Sequence, residues 1–157
     1  MTARQVKIRD GVYGAITAAQ NSYVLVDFDI EKTYFPKENL EDLAAKPKVK
    51  IIGMNVGTAR DRELRRTTAL TLEIPVQVCI QQKVSPTDTL TIDELVEFCE
   101  QVMTTCEDDQ LVSGENYSYT RTEPLKDENG LEFSYDDLSS QGVFQSIFTV
   151  FYTTIKE

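Results

Sequence analysis

Residues 65–84 read RRTTALTLEIPVQVCIQQKV. Leu70, Leu72, Ile74, Val76, Val78 and Ile80 take every second position, with Thr71, Glu73, Pro75, Gln77, Cys79 and Gln81 between them. Side chains on a strand point alternately to opposite faces, so this run predicts a long half-buried strand with one apolar and one polar wall. Pro75 cannot donate to a ladder, which places the strand at a sheet edge or puts a bulge there. A helix follows almost at once. Ile92, Leu95, Val96, Cys99, Val102, Met103 and Cys106 form an apolar stripe at helical spacing. Thr91, with Glu94 three residues on, supplies a capping box at its start.

Working outward, residues 4–20 read as an N-terminal helix whose stripe is Val6, Val12, Tyr13 and Ile16, with Gly11 and Gly14 lowering its propensity. Residues 24–34 and 49–56 are strand candidates, and residues 39–45 a short helical turn. Residues 57–68, GTARDRELRRTT, hold four arginines and little to bury, which predicts a projecting loop or extended hairpin tip. Tyr117, Tyr119 and Arg121 alternate on a strand that stops at Pro124, and the polar stretch 126–141 reads as a surface loop. The last strand, 142–155, carries Phe144, Phe148, Val150 and Tyr152 on one face and Val143, Ile147, Phe151 and Ile155 on the other. Apolar residues on both faces predict a central strand, or a subunit surface on the second face. No repeat or linker divides the chain. The reading is one domain over residues 1–157, of α+β class: an antiparallel sheet with an N-terminal helix and one long amphipathic helix packed on it.

A chain of 157 residues can bury a core of its own. Sixteen basic residues against 26 acidic ones leave a net charge of −10, which argues against a protein that coats nucleic acid. The chain has no histidine, and so lacks the commonest general base and metal ligand. Cys79, Cys99 and Cys106 have no CxxC spacing and read as buried free thiols of a reducing cytoplasm. No apolar run approaches a membrane span, and the N-terminal residues lack the apolar region of a signal peptide.

Three groups invite a chemical reading. Asp27, Asp29 and Glu31 fall on one face of a strand, where carboxylates can hold a hard cation or simply form a solvated face. Glu73 with Gln81 and Lys83 approximates the acidic and carboxylate-x-lysine pattern of metal-dependent nucleases, but a neutral amide stands where the second carboxylate belongs. Asp27, Asp29 and Glu73 therefore define an alternative nuclease reading. Arg60, Arg62, Arg65 and Arg66 can grip carboxylates or phosphate bidentately. Asp61 and Glu63 dilute their charge, so an acidic protein face suits them better than DNA. No phosphate loop, dinucleotide fingerprint or hydrolase triad is present. The expectation is action by contact, with no catalytic residue, cofactor or metal.

From about residue 34 to 155 the order of features resembles a family of small neck and upper-tail proteins of tailed bacteriophages, the tail terminators or tail-completion proteins. The pieces are Tyr34-x-Pro36 followed by Leu40-Glu41-Asp42-Leu43, the strand Val49-Lys50-Ile51-Ile52, and an arginine-bearing loop. The long strand then closes in Val78-Cys79-Ile80-Gln81-Gln82-Lys83-Val84, and an Asp93-Glu94-Leu95 helix start follows. Glu123-Pro124-Leu125 and the run from Phe144 to Tyr152 complete it. The resemblance implies an α+β fold, an antiparallel sheet carrying helices, and a six-fold ring of identical subunits. Such a ring caps the tail tube and docks the head–neck connector, so the implied partners are further copies of the chain, the tail-tube protein and a connector or adaptor. Genomic DNA passes through the lumen without sequence-specific binding, and no membrane is involved. The implied location is the neck of the virion, after synthesis in the host cytoplasm; a head-completion or adaptor subunit is the neighbouring alternative. The family has no catalytic residues. Arg60, Arg62, Arg65 and Arg66 are the expected protein interface.

Overall fold

A computed structural model of the chain describes residues 4–34, 45–53, 63–66, 69–107, 117–127 and 130–156. Among the described residues, three α-helices and six strands follow the order α1 (Arg4–Ala18), β1 (Asp29–Thr33), β2 (Lys48–Gly53), β3 (Glu63–Arg66), β4 (Ala69–Lys83), α2 (Thr89–Cys106), β5 (Ser118–Pro124), α3 (Tyr135–Gln141) and β6 (Val143–Lys156), with a single 3-10 turn at Gln20–Ser22. The strands form one sheet in the order β1-β2-β4-β6-β5, with β3 pairing β4 off that path. The fold is α+β as expected. The sheet is antiparallel except at one edge, where β1 runs parallel to β2.

The alternation in residues 69–83 does decide the architecture, but it places β4 at the centre of the sheet. Register puts Ile74 opposite Tyr152, Val76 opposite Val150, and Val78 opposite Phe148. On the other flank Val78 meets Ile51 and Ile80 meets Val49. These residues share the face on which the helices lie. Ile8, Val12 and Ile16 of α1, Leu95, Phe98, Cys99, Val102 and Cys106 of α2, and Leu138 of α3 join them in one core cluster. Ile52, Cys79 and Val143 are buried outside that cluster, on the opposite face.

The polar wall expected of β4 is therefore not solvated. Glu73, Cys79 and Gln81 are buried. Lys50 and Ile147 flank Cys79, while Gln81 Nε2 donates to Gln145 Oε1 at 2.6 Å. Pro75 is also explained differently. The pairing with β2 ends at Val76 and that with β3 begins at Leu72, so among the described residues Pro75 sits in a gap between those two strands. Its carbonyl instead accepts from Gln5 Nε2 of α1 at 2.8 Å. The gap removes the penalty of a missing N–H without an edge or a bulge.

Four local readings shift. The cap of α2 is Asp88, whose Oδ1 accepts from the Thr91 amide and whose Oδ2 accepts from the Thr91 hydroxyl, so the helix starts before the expected Thr91 box. Aspartate caps at least as well as threonine, and the earlier start adds a turn. Residues 126–141 are not all loop. Ser134 caps α3, Gly142 ends it at φ 65°, and Leu138 anchors it in the core. In α1 the fully buried positions are Ile8, Val12 and Ile16, with Gln5 beside them, while Val6 and Tyr13 are only half-buried. Residues 24–28 precede β1 without pairing, so the strand there is shorter than expected. Residues 39–44 lie outside the described residues.

Candidate functional site

Strands β3, β4 and β6 run on together past the point where β2 ends. Glu63 to Arg66 pair with Leu72 to Ala69, and Leu70 to Leu72 pair with Lys156 to Thr154. The result is a three-stranded ribbon. The most distal described helix contacts stop short of it: Gln5 bonds Pro75, and the Tyr152 hydroxyl donates to the Cys106 carbonyl. Four residues beyond that level correspond to an overhang of roughly 13 Å at strand rise.

Arg65 and Arg66 stand on β3 within this ribbon, so two of the four arginines expected to form an interface sit on a strand of a hairpin. Arg60 and Arg62 lie outside the described residues. The register is specific. Arg65 is the register partner of Leu70, and Leu70 that of Lys156. Lys156 is invisible to a reading of the arginine segment alone, because 90 residues of chain separate it from Arg66; only strand pairing joins them.

The outer side of α2 is the opposite in charge. Asp93, Glu97 and Glu100 are exposed at i, i+4 and i+7, turned away from buried Leu95, Phe98 and Val102. The helix contains no lysine or arginine. This carboxylate row is visible in the sequence at the same helical period as the apolar stripe.

The carboxylates of the nuclease reading are not brought together. Asp29 meets Lys46 Nζ at 3.3 Å and Asp27 meets it at 3.9 Å, while Glu31 meets Lys48 Nζ at 3.9 Å. Parallel pairing of β1 with β2 sets lysines beside this acidic row, and no group of three or more metal-ligating side chains occurs among the described residues. Glu73 is eight residues from Gln81 along one strand, roughly 27 Å. It binds Arg121 Nη1 at 2.9 Å instead. Mg²⁺ or Mn²⁺ should leave both the melting temperature and added DNA unchanged; metal-dependent cleavage or a raised melting point would overturn this assignment.

A bulge between Tyr119 and Arg121 separates those residues, which simple alternation had put on one face. Tyr119 opposes Tyr152 on the helix face, whereas Arg121 opposes Phe151 on the other. There the guanidinium lies 3.9 Å over the Phe151 ring and also bonds Glu123 at 2.8 Å. Hydrogen bonds to Glu123 and then Glu73 hold Arg121 charged, above its ordinary range.

All three cysteines are free and buried. Burial pushes each thiol up to about 12, against a pull downward from Lys50 at Cys79 and from Ser146 at Cys99. A folded-state pKa above that of the unfolded chain means the native protein holds protons the unfolded chain has lost. This contribution is fully present below the unfolded value of 9.0 and is lost as pH rises from there towards about 12. Denaturation midpoints should fall across that alkaline window. At pH 8 an aromatic disulfide reagent should label the native protein hardly at all and the unfolded chain at three sites; rapid native labelling would contradict the burial.

No helix among the described residues is long and apolar enough to cross a membrane. No family model matches the chain, and no curated protein matches it. Among solved structures it is similar to the sheath/tube terminator of PVC, an extracellular contractile injection system, in the extended state. The identity is 13% and the TM-score 0.48, over 100% of this chain and 58% of that one. The chain thus spans little more than half the length of the protein it resembles.

Proposed function

We propose that the chain is a structural, non-enzymatic subunit that closes the end of a phage-type tail tube, as a ring of identical copies seated between tube and head–neck connector. The observation that carries this reading is the order of the family motifs along the chain. Val49–Ile52 falls on β2, the run from Val78 to Lys83 on β4, and Asp93-Glu94-Leu95 in the first turns of α2. Glu123 and Pro124 end β5, and the run from Phe144 to Tyr152 lies on β6. Pro36 and Leu40 to Leu43 are outside the described residues.

The ribbon supports the same reading. A ring needs a surface that reaches a neighbour, and a three-stranded overhang supplies one. In such a ring the excess carboxylates face the channel, where like charge lets DNA slide without sticking. The protein is then a virion component made in the host cytoplasm, and its partners are its own copies, the tube protein and the connector.

Light scattering over a range of concentrations, alone and with purified tail tubes, tests the reading. A hexamer, or a monomer that becomes one on tubes, is the expected result. A monomer at every concentration that ignores tubes would overturn it.

A further inference from the structure

The C-terminal ends of α1 and α2 meet at a shallow hollow of about 530 Å³. Among the described residues it is lined by Ala15, Ala18 and Ala19 at the end of α1, and by Thr104, Thr105 and Glu107 at the end of α2. Both helices bring the negative end of their dipole to this place, and neither has a basic residue in its last turn. Glu107, the C-cap of α2, adds a full negative charge and forms no ion pair among the described residues. The hydrogen-bonding capacity is equally one-sided. Thr104 Oγ1 donates to the Glu100 carbonyl at 3.0 Å, and Thr105 Oγ1 donates to the Gln101 carbonyl at 3.2 Å. Each hydroxyl has one proton, so in the 2.7 Å contact with Thr105 the donor is the Tyr23 hydroxyl. These threonines and Glu107 therefore offer the hollow lone pairs and a carboxylate, beside three alanine methyls.

We propose that this hollow docks a lysine or arginine side chain of the tail-tube protein. The apolar stem lies on the alanines, and the cationic head meets Glu107, Thr104 and Thr105. A lining of acceptors beside methyl groups calls for a positively charged donor on an aliphatic stem, and among side chains lysine and arginine fit that description. The two helix ends reinforce the choice, since a cation there relieves the repulsion between like poles and Glu107. Charge complementarity points away from this chain as the source. Its own Arg9, Lys32, Lys46, Lys48 and Arg121 are already paired with carboxylates of the same chain. Naming the tube protein as the partner rests on the ring reading; the cation preference of the hollow does not.

Two measurements on the full chain test this. In the first, n-butylammonium is titrated against alanine-methyl-labelled protein up to roughly 0.1 M, with 1-butanol as the neutral control. The methyl signals of Ala15, Ala18 and Ala19 should shift saturably with the amine and not with the alcohol. Glu107→Gln should weaken that binding about threefold, the share of a partly exposed ion pair. Ala18→Leu, at an exposed helix position, should fill the hollow and abolish it. In the second, co-sedimentation with purified tail tubes should fall in both variants while their melting temperatures stay at the wild-type value. No response to the amine, or an equal response to butanol, overturns the cation site and leaves the ring reading intact. Amine binding with tube binding untouched by either variant overturns the tube protein as occupant. A wild-type chain that binds the amine but ignores tubes overturns the ring reading and upholds the cation site.

Discussion

Phe98→Ala should lower the stability of the fold by about 4 kcal/mol, the middle of the range for a buried aromatic truncated to alanine. Phe98 is fully buried on α2 and is the hub of three rings. Tyr23 meets it edge-on at 5.5 Å and Phe28 lies 5.2 Å away at a tilt of 57°. Through these contacts the unpaired segment between α1 and β1 is held against α2, with the Tyr23 hydroxyl 2.7 Å from Thr105 Oγ1 and the Val24 amide donating to Gln101 Oε1 at 2.7 Å. Removing the ring leaves a cavity that two neighbours from a turn-rich segment are poorly placed to fill. For a domain of this size the thermal midpoint should drop by roughly 10 °C. Urea denaturation measures the loss directly, and a value under about 1 kcal/mol would mean that the cluster packs differently.

Arg121→Ala should be the most damaging change at a polar position, with a loss of about 2–3 kcal/mol. Glu73 is only 4% exposed, and its carboxylate meets Arg121 Nη1 at 2.9 Å. Without the guanidinium the buried carboxylate loses that ion pair, and Phe151 loses the group stacked on it. The companion pair is a control built into the site. Glu123 is 58% exposed, so Glu123→Gln should change stability by less than about 0.5 kcal/mol despite the 2.8 Å contact. A double-mutant cycle separates the two: coupling of Arg121 to Glu73 should exceed about 1 kcal/mol, and coupling to Glu123 should fall below half of that. Equal couplings would show that burial does not rank these bonds.

Much of the fold was legible because period and burial agree. β4, β6 and α2 are long, and each repeats its pattern often enough that a one-residue slip would move the whole apolar set to the wrong face. The expected central position of β6 was readable from its two apolar faces. The central position of β4 was not, since Thr, Glu, Gln and Cys on alternate positions look the same whether they face water or pack among neighbouring side chains. Gln81 and Gln145 find each other only through the β4–β6 register. α3 was not legible because a seven-residue helix, with Leu138 its buried residue among the described side chains, gives no period to detect.

The candidate site divides along the same line. The arginine-rich segment and the carboxylates of α2 are local features, visible as composition and helical spacing in one stretch of chain. Which strand carries Arg65, and that Lys156 stands in register with Leu70 beside it, are long-range facts. The bulge at Tyr119 and Arg121 makes the same point: one inserted residue sent Arg121 through to the far face, where it pairs with Glu73.

By itself the sequence determined the class of fold, the strands and helix with the strongest periods, the free state of the thiols, and the concentration of arginine before the long strand. These depend on each residue's own chemistry and on neighbours within a few positions. Tertiary structure alone decided the parallel β1–β2 edge that pairs the acidic row with lysines, the gap that accommodates Pro75, the burial of the polar wall, and the overhang of the ribbon beyond the helices. Each of those depends on register between segments far apart in the chain, and register is set by the whole packed core at once.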